Sequence, residues 1–582
     1  MTPSSPATRR ASEARRLWIA LAAVFALALG LRLAFWSSTR GGALDEWHRF
    51  TQTDMSTYLA QADQIASGDW LAREPVHPYH SWQTIAPPEK WLEWYGPHVF
   101  HQAPGYAYLL ALARALSDDP LPLVKAVQLV LGALTAVFAL LWARELFGLA
   151  TGVIAGVLVA SYGPLYYLEA QLLREGPALC ALFALAWAMA RELSRERSSL
   201  GRFISCGLFG VAVGLFHILH EMGTVVFVAC ALVLGLHHLR VRRMAALQAL
   251  VALLLGYLIG FGPLLARNLA VGAPPFSVSC RTLINFAEAN EAGAPEGGAI
   301  FVETRPAVVR ILDDAHGSFP KMVARVWATY DGDVGKLVGN AWLRWCAVWK
   351  SFEEADNTSF YFYREYAPSL ALSPTFALLF PLGVAGLFAA GWAAFARRRG
   401  AEGPWPALLA RHPSGQRAAL ILLLAVAGAL SFVHTVARFR LYVTPALFVF
   451  AALALHVAWQ ALRARRFGAL ALLVGGAVLA ALFQRAIARE IDRELFRPVD
   501  FYVAALVSVD LGQPERALAF ADDSARRYTG DVNVYLVLGN RLEALAQWRT
   551  AKACYERALA ALPQSEEARR GLARVQAALG AG

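Results

Sequence analysis

Apolar runs of spanning length, recurring along most of the chain, decide what this sequence can fold into. The first extends from Leu17 to Trp36, and others lie near 120–142, 149–167, 175–191, 201–219, 222–239 and 245–266. After a long polar interval they resume near 372–396, 417–435, 441–460 and 466–484. A helix of about 20 apolar residues crosses the hydrocarbon core of a bilayer. Inside that core the backbone must satisfy its own hydrogen bonds, which makes helices the spanning element. The expectation is an all-α polytopic membrane protein with about eleven transmembrane helices.

Composition agrees with this reading. Of the 582 residues 57% are hydrophobic and 17% charged, too few charges to cover so much apolar surface in water. A formal net charge of +11 raises the question of nucleic acid. The arginines instead cluster at the ends of spans, and no basic-aromatic interleaving marks a soluble binding face, so nucleic acid is not expected as a partner. The six cysteines include no CxxC pair, which gives a zinc or thioredoxin-like site no support from spacing. Cys180, Cys206 and Cys230 fall in apolar runs as packing residues, whereas Cys280 and Cys346 share one loop and their pairing is open.

Arg9, Arg10, Arg15 and Arg16 precede the first run as in a signal peptide. The length of the run, and the lack of a small-residue cleavage site after it, favour a retained span whose Arg32 snorkels to the interface. With the N-terminus cytoplasmic, the connections Arg191–Arg202, Arg240–Arg243, Arg397–Arg417 and Arg463–Arg466 all fall inside, as the positive-inside rule asks. Two long loops, about 37–119 and 267–371, then lie outside, together with the C-terminal tail. Pro104-Gly105-Tyr106 and the apolar stretch to Leu116 are too short to span and read as an interfacial helix.

Past Pro498 the chain becomes polar and amphipathic. Tyr535, Leu538, Gly539, Ala551, Tyr555, Ala558 and Pro563 fall at the spacing of a tetratricopeptide repeat, with Ala517 in a weaker copy and Ser565–Leu579 as a capping helix. The expected organisation is a cytoplasmic tail at 1–16, a transmembrane domain at 17–484, a linker at 485–497 and a small helical repeat domain at 498–582. The last offers a surface for an acceptor or partner protein, or packs over the outer loops and steadies them; the two stay open.

Residues able to carry chemistry gather at the expected outer ends of the spans. Asp54, in Thr53-Asp54-Met55-Ser56-Thr57-Tyr58, can accept a proton as a general base. It is equally an ordinary helix-start aspartate favoured by the dipole, with Asp45 and Glu46 as nearby competitors. Glu175, next to Arg174, can meet an acceptor or a divalent ion, or serve only as an ion-pair partner; Glu169 is the alternative position. His220-Glu221 form a further polar pair. Arg438 and Arg440 break the positive-inside trend, and a lipid phosphate explains two guanidiniums there, as lipid-headgroup anchoring also does. Arg267-Asn268 opens the second long loop, and Asn285, Asn290 and Gly293 form a polar stretch suited to sugar contacts.

Taken in order, Asp54-x-x-x-Tyr58 with Gly68-Asp69-Trp70, Pro104-Gly105-Tyr106, Arg267-Asn268-Leu269, the Asn285–Gly293 stretch and Ala437-Arg438-Phe439-Arg440-Leu441 before Pro445 resemble a known group. It is the GT-C superfamily of membrane glycosyltransferases, and within it the bacterial relatives of protein O-mannosyltransferases and of the aminoarabinose transferase that modifies lipid A. The resemblance covers residues 17–460 and leaves out the tail, which lacks the sequence of the sugar-binding MIR domain of eukaryotic mannosyltransferases.

The resemblance implies a GT-C fold in a bacterial inner membrane and a polyprenyl-phosphate sugar as donor. It implies transfer on the periplasmic side, with inversion, to a glycan, lipid or protein acceptor. Asp54 is then the catalytic acid residue of the first loop, and Glu175 takes the place of a second one that is often Asp. Arg438, Arg440 and Arg267 are the expected phosphate ligands. Tyr58, Glu169, His220, Glu221, Asn268, Asn285 and Asn290 are the expected substrate contacts. Some members hold a divalent metal, Mg or Mn, for which Asp54 and Glu175 are the ligands expected here; no other cofactor is expected. The closest rival enzyme is a lipid-linked oligosaccharide ligase or polymerase, against which His316 speaks mildly as the sole histidine of the 267–371 loop. A transporter is the rival from another class, but its ionisable groups belong at mid-membrane in repeated halves.

Overall fold

A computed structural model of the protein describes residues 6–80, 83–294, 305–399, 411–433, 435–487, 497–528 and 532–580. Every regular element among them is helical. The first, α1 (Pro6–Thr39), is followed in the first long loop by α2 (Asp54–Ala66), α3 (Pro88–Tyr95) and α4 (Gly105–Leu116). Then come α5 (Pro120–Phe147), α6 (Leu149–Ser161), α7 (Gly163–Glu169), α8 (Glu175–Leu193), α9 (Ser199–Leu219), α10 (Gly223–Leu239) and α11 (Arg243–Val271). The second long loop holds α12 (Arg281–Asn290), α13 (Pro306–Ala315), α14 (Phe319–Ala328), α15 (Val334–Val348) and α16 (Phe360–Tyr366). After it run α17 (Phe376–Arg398), α18 (Pro413–Leu430), α19 (Ala437–Arg440), α20 (Thr444–Arg463) and α21 (Phe467–Ile487). The tail supplies α22 (Pro498–Asp510), α23 (Pro514–Arg527), α24 (Asn533–Ala544), α25 (Trp548–Ala561) and α26 (Glu566–Gly580). Much of the 485–497 stretch and of the Arg397–Arg417 connection lies outside the described residues.

Nine helices among the described residues are long and apolar enough to cross a bilayer, and α6 with α7 makes a tenth if the pair counts as one span. The 17-residue α10 is shorter and equally apolar. Each apolar run therefore forms helix, but the one expected as a straight span at 149–167 is broken at Tyr162 and bent by 58°. Pro164 explains the break, because it has no N–H to offer the carbonyl of Ala160 one turn earlier. Nη1 of Arg32 donates to that carbonyl instead, at 3.3 Å.

Arg32 does not snorkel, which corrects the expectation for the first span. It is fully buried, and its Nε donates to Glu169, also fully buried, at 2.6 Å. A guanidinium in an apolar bundle is tolerated when a carboxylate neutralises it, and here Nη1 also donates to the carbonyls of Ala28 and Ala160, while Nη2 has no hydrogen-bond partner among the described residues. Gly132 makes room for the pair: a Cβ there would run into both Arg32 Nε and the Glu169 carboxylate.

Glycine also sets the close contact between α9 and α11. A Cβ at Gly210 or Gly214 of α9 would strike the backbone of α11, and one at Gly256 or Gly260 of α11 would strike the backbone of α9. Without side chains between them, the two backbones pack directly, as small residues permit where lipid supplies no hydrophobic drive.

The chain divides into two compact units. One comprises Met1–Leu33, Thr57–Asp356 and Ser373–Ile491; the other comprises Ala34–Ser56, Asn357–Leu372 and Asp492–Gly582. In the first, the two long loops share a core in which Trp91, Trp94 and Tyr95 of α3 pack with Ile284 and Ala287 of α12, Ile311 and Leu312 of α13, and Met322 and Val326 of α14. In the second, Phe362 of α16 is fully buried among Trp47, Phe501 and Phe520, with ring centroids 5.1–6.0 Å away. Tyr363 donates to the carbonyl of Leu44 at 2.9 Å, and Tyr366 donates to Asp523 at 2.6 Å.

The tail forms two helix pairs, α22–α23 and α24–α25, and a final α26 that covers the last pair with Ala568, Gly571 and Val575. Tyr555 is clamped between glycines, since a Cβ at Gly539 or Gly571 would meet its ring. Its hydroxyl lies 2.7 Å from both Asn540 Oδ1 and Glu543 Oε2, two acceptors for its one proton.

Candidate active site

Within the first unit, charged side chains from several helix ends meet in one buried cluster. Glu175 opens α8 and is fully buried, a position that costs several kcal/mol unless cations attend it. Arg438 of α19 brings its Nε to 3.4 Å from the Glu175 carboxylate, and Arg174 stands at 4.0 Å. Arg438 also pairs with Asp356 through Nη2 at 2.8 Å, so one guanidinium lies between two carboxylates. Arg174 pairs with Glu221 at 2.7 Å. Glu221 further accepts from the Ser279 hydroxyl at 2.8 Å and from the Ala103 N–H at 3.1 Å. Burial pushes the Glu221 carboxyl up, but Arg174 outweighs it and holds the group below the usual carboxylate range.

In this cluster His220 Nε2 and the Tyr442 hydroxyl have no hydrogen-bond partner among the described residues. Both residues are buried, with ring centroids 4.3 Å apart. His220 Nδ1 already accepts from the Met222 N–H at 3.1 Å, which leaves Nε2 carrying the proton of the neutral ring. Buried polar groups are satisfied in nearly all proteins, so an orphaned N–H beside an orphaned hydroxyl fits a ligand with acceptor oxygens. Tyr58 stands edge-on to Tyr106 at 5.1 Å, and Tyr106 donates to Gln128 at 2.5 Å. Gln128 donates in turn to the carbonyls of Glu169 and Gln171, which fixes the turn that leads into Arg174 and Glu175.

Other expected site residues are placed elsewhere. Arg440 is engaged by backbone: it donates to the carbonyls of Lys350 and Phe352 at 2.6 and 2.7 Å, pairs with Glu353 at 2.5 Å, and lies over the Phe376 ring. Glu353 accepts from the Phe376 N–H at 2.8 Å, so Arg440 and Glu353 together hold the entry to α17. Arg267 donates to the carbonyls of Leu71, Ala72 and His98, tying α11 to the first long loop. Asn268 binds the carbonyls of Pro274, Pro275 and Ser277 and shapes the turn after α11. Asn290 donates to the carbonyls of Phe286 and Phe432, whereas the buried Asn285 Oδ1 has no partner among the described residues. Glu169 is committed to Arg32.

Asp54 belongs to the second unit, where it opens α2. Its N–H donates to Asn357 Oδ1 at 2.8 Å, and its carboxylate accepts from Asn357 Nδ2 at 3.0 Å. This reciprocal pair fixes the carboxylate against a residue 303 positions away.

Sequence reasoning missed Asp356, Glu353, Tyr442 and Asn357. A signal was present in Glu353-Glu354-Ala355-Asp356, an acidic run close before a span in a chain of net charge +11. Glu175 and Asp356 offer oxygen donors of the kind Mg or Mn takes, but the positive charge between them is supplied by Arg438.

Comparison with known proteins adds the following. Residues 532–575 match the family described as Tetratricopeptide repeat. The search of curated proteins gave no match. Among solved structures, the chain aligns with the archaeal oligosaccharyltransferase AglB from Archaeoglobus fulgidus in complex with an inhibitory peptide and a dolichol-phosphate. Identity is 15%, coverage is 88% of this chain and 56% of that one, and the TM-score is 0.43. The Archaeoglobus fulgidus oligosaccharyltransferase in complex with Zn and sulfate gives 14% identity, 84% and 55% coverage and a TM-score of 0.44. The chain thus spans a little over half the length of these neighbours.

Proposed function

We propose that the protein is a membrane glycosyltransferase of the GT-C type, moving a sugar from a polyprenyl-phosphate carrier to an acceptor hydroxyl on the extracytoplasmic face, with inversion. The observation that supports this most is the buried cluster of Glu175, Arg174, Arg438, Asp356 and Glu221 with the orphaned His220 and Tyr442. Charged side chains at helix ends in so apolar a chain are retained for use, and helix ends are where a lipid-borne donor and a water-borne acceptor can meet.

In this reading a phosphate oxygen of the donor replaces a carboxylate on Arg438, and the guanidinium then stabilises the charge that grows on the departing phosphate. His220 and Tyr442 hydrogen-bond the bound substrate. Arg440 and Arg267 act by holding the backbone around the site. Asp54 as general base is a separate part of the proposal and rests on the sequence resemblance. The bacterial inner membrane, the cytoplasmic N-terminus, the 17–484 and 498–582 domain limits and a partner protein for the tail are parts of the same proposal.

The test is carrier release from radiolabelled undecaprenyl-phosphate sugars by the reconstituted protein. Turnover is expected to fall by about 100-fold or more in Arg438→Ala and in Asp54→Asn. Normal turnover in Arg438→Ala sinks the phosphate role, and normal turnover in Asp54→Asn sinks the base. Transfer only of a longer lipid-linked glycan favours a ligase. Solute flux with no polyprenyl-phosphate binding favours a transporter.

A further inference from the structure

His77 and His101 of the first long loop converge with Cys280, the residue before α12 in the second. A ligand atom from each lies within 4.8 Å of the other two. His101 Nδ1 is 3.8 Å from Cys280 Sγ. In a tetrahedral zinc site, bonds of about 2.0–2.1 Å to nitrogen and about 2.3 Å to sulfur put those two atoms about 3.6 Å apart. For that pair only a slight closure is needed, and His77 is close enough to complete the set.

The surroundings hold the three residues in place. The Cys280 N–H donates to the carbonyl of Phe100 at 2.9 Å, which fastens the cysteine beside His101 through the backbone. The Tyr95 ring stacks on His77, with centroids 5.1 Å apart and planes 14° apart, and stands edge-on to His101 at 5.0 Å. Gln83 anchors the Tyr95 hydroxyl at 2.8 Å. His101 and Cys280 are buried, and the shared core of the two loops lies against them through Tyr95 and Cys280. The 24 and 179 positions between the ligands explain why no spacing motif betrays them.

We propose that His77, His101 and Cys280 bind one zinc ion, with a fourth position left for water, and that the ion ties the two long loops together. Two imidazoles and a thiolate are a donor set for zinc, and a set of three protein ligands leaves zinc one open position. On binding, the Cys280 thiol gives its proton to solvent while both imidazoles coordinate as neutral rings, so about one proton leaves per ion. The inference does not depend on the transferase reading.

The experiment uses the full-length chain without a histidine tag, loaded with zinc chloride in detergent and dialysed against metal-free buffer. Elemental analysis is expected to find about one zinc per chain. Cobalt put in its place is expected to give a thiolate-to-cobalt charge-transfer band that persists in Cys346→Ser and vanishes in Cys280→Ser. His77→Ala and His101→Ala are expected to weaken zinc binding by about 100-fold or more. A wild-type chain that retains no zinc, or whose cobalt form lacks the thiolate band, overturns the proposal even if the variants fail to fold. So does a Cys280→Ser chain that keeps both zinc and band, or a Cys280–Cys346 disulfide found in place of the free thiol.

Discussion

Arg32 and Glu169 show how much one pair of side chains can be asked to do. The guanidinium neutralises a carboxylate 137 residues away and also takes up the carbonyl that Pro164 leaves without a donor. Two faults in an apolar bundle, a buried anion and a broken helix, are mended by one cation. Gly132→Ala places a methyl group in that contact and is expected to cost about 3–5 kcal/mol, the penalty for disrupting a buried ion pair. The reading is the melting temperature of the purified protein in detergent. Arg32→Met combined with Glu169→Met in the Gly132→Ala background is expected to recover much of the loss, because both charges leave together. Should Gly132→Ala melt like the wild type, the contact has been overstated. None of this was legible beforehand, because an arginine near the end of an apolar run looks the same whether it reaches for water or for a distant partner.

Elements were far more readable. Apolarity over some twenty residues is a property of each segment by itself, so each of the runs was found as helix before any contact was known. The repeat helices were legible for a related reason, since Gly539, Ala551, Tyr555 and Ala558 recur at fixed offsets inside a local hairpin. The bend at Tyr162 was carried by Gly163-Pro164 and was overlooked within a longer apolar stretch. Within the buried charged cluster, Glu175, Arg438, His220 and Glu221 were already candidates from the sequence, because charge stands out against apolar surroundings. The cluster was not legible at Tyr442 or Asp356, whose meaning comes only from neighbours distant in sequence. The α9–α11 contact offers a test at this scale. Gly256→Val is expected to destabilise the protein by about 1–3 kcal/mol or more by forcing two backbones apart. Gly262→Val, on the same helix with nothing within 4 Å of a new Cβ, is the control and is expected to melt near the wild type. Equal melting of the two variants would show that the close approach does not matter.

The polar tail shares one compact unit with Ala34–Ser56 and Asn357–Leu372, two segments that flank spans. Phe362 packs on Trp47 and also on Phe501 and Phe520, so the tail helices are part of a common core. A chain cut after Arg497 is therefore expected to expose that aromatic cluster and to run as aggregates on size exclusion in detergent. A truncated protein as monodisperse as the full-length one would contradict the shared core.

That composite unit also imposes an order on biosynthesis. Residues 34–56 leave the ribosome some 440 positions ahead of the helices that enclose their aromatic rings. At about 5–20 residues per second, this is a wait of roughly 20–90 seconds. Throughout it Phe50 lacks its edge-on neighbour Tyr502, and Phe362 later waits in the same way for Phe501 and Phe520. Long-range partners of this kind form late in any folding route. The nascent chain therefore passes through a stage in which its spans are already in lipid while an oily, half-built patch outside them awaits its last ninety residues. It is at this stage, rather than in the finished protein, that a folding helper has the most to protect.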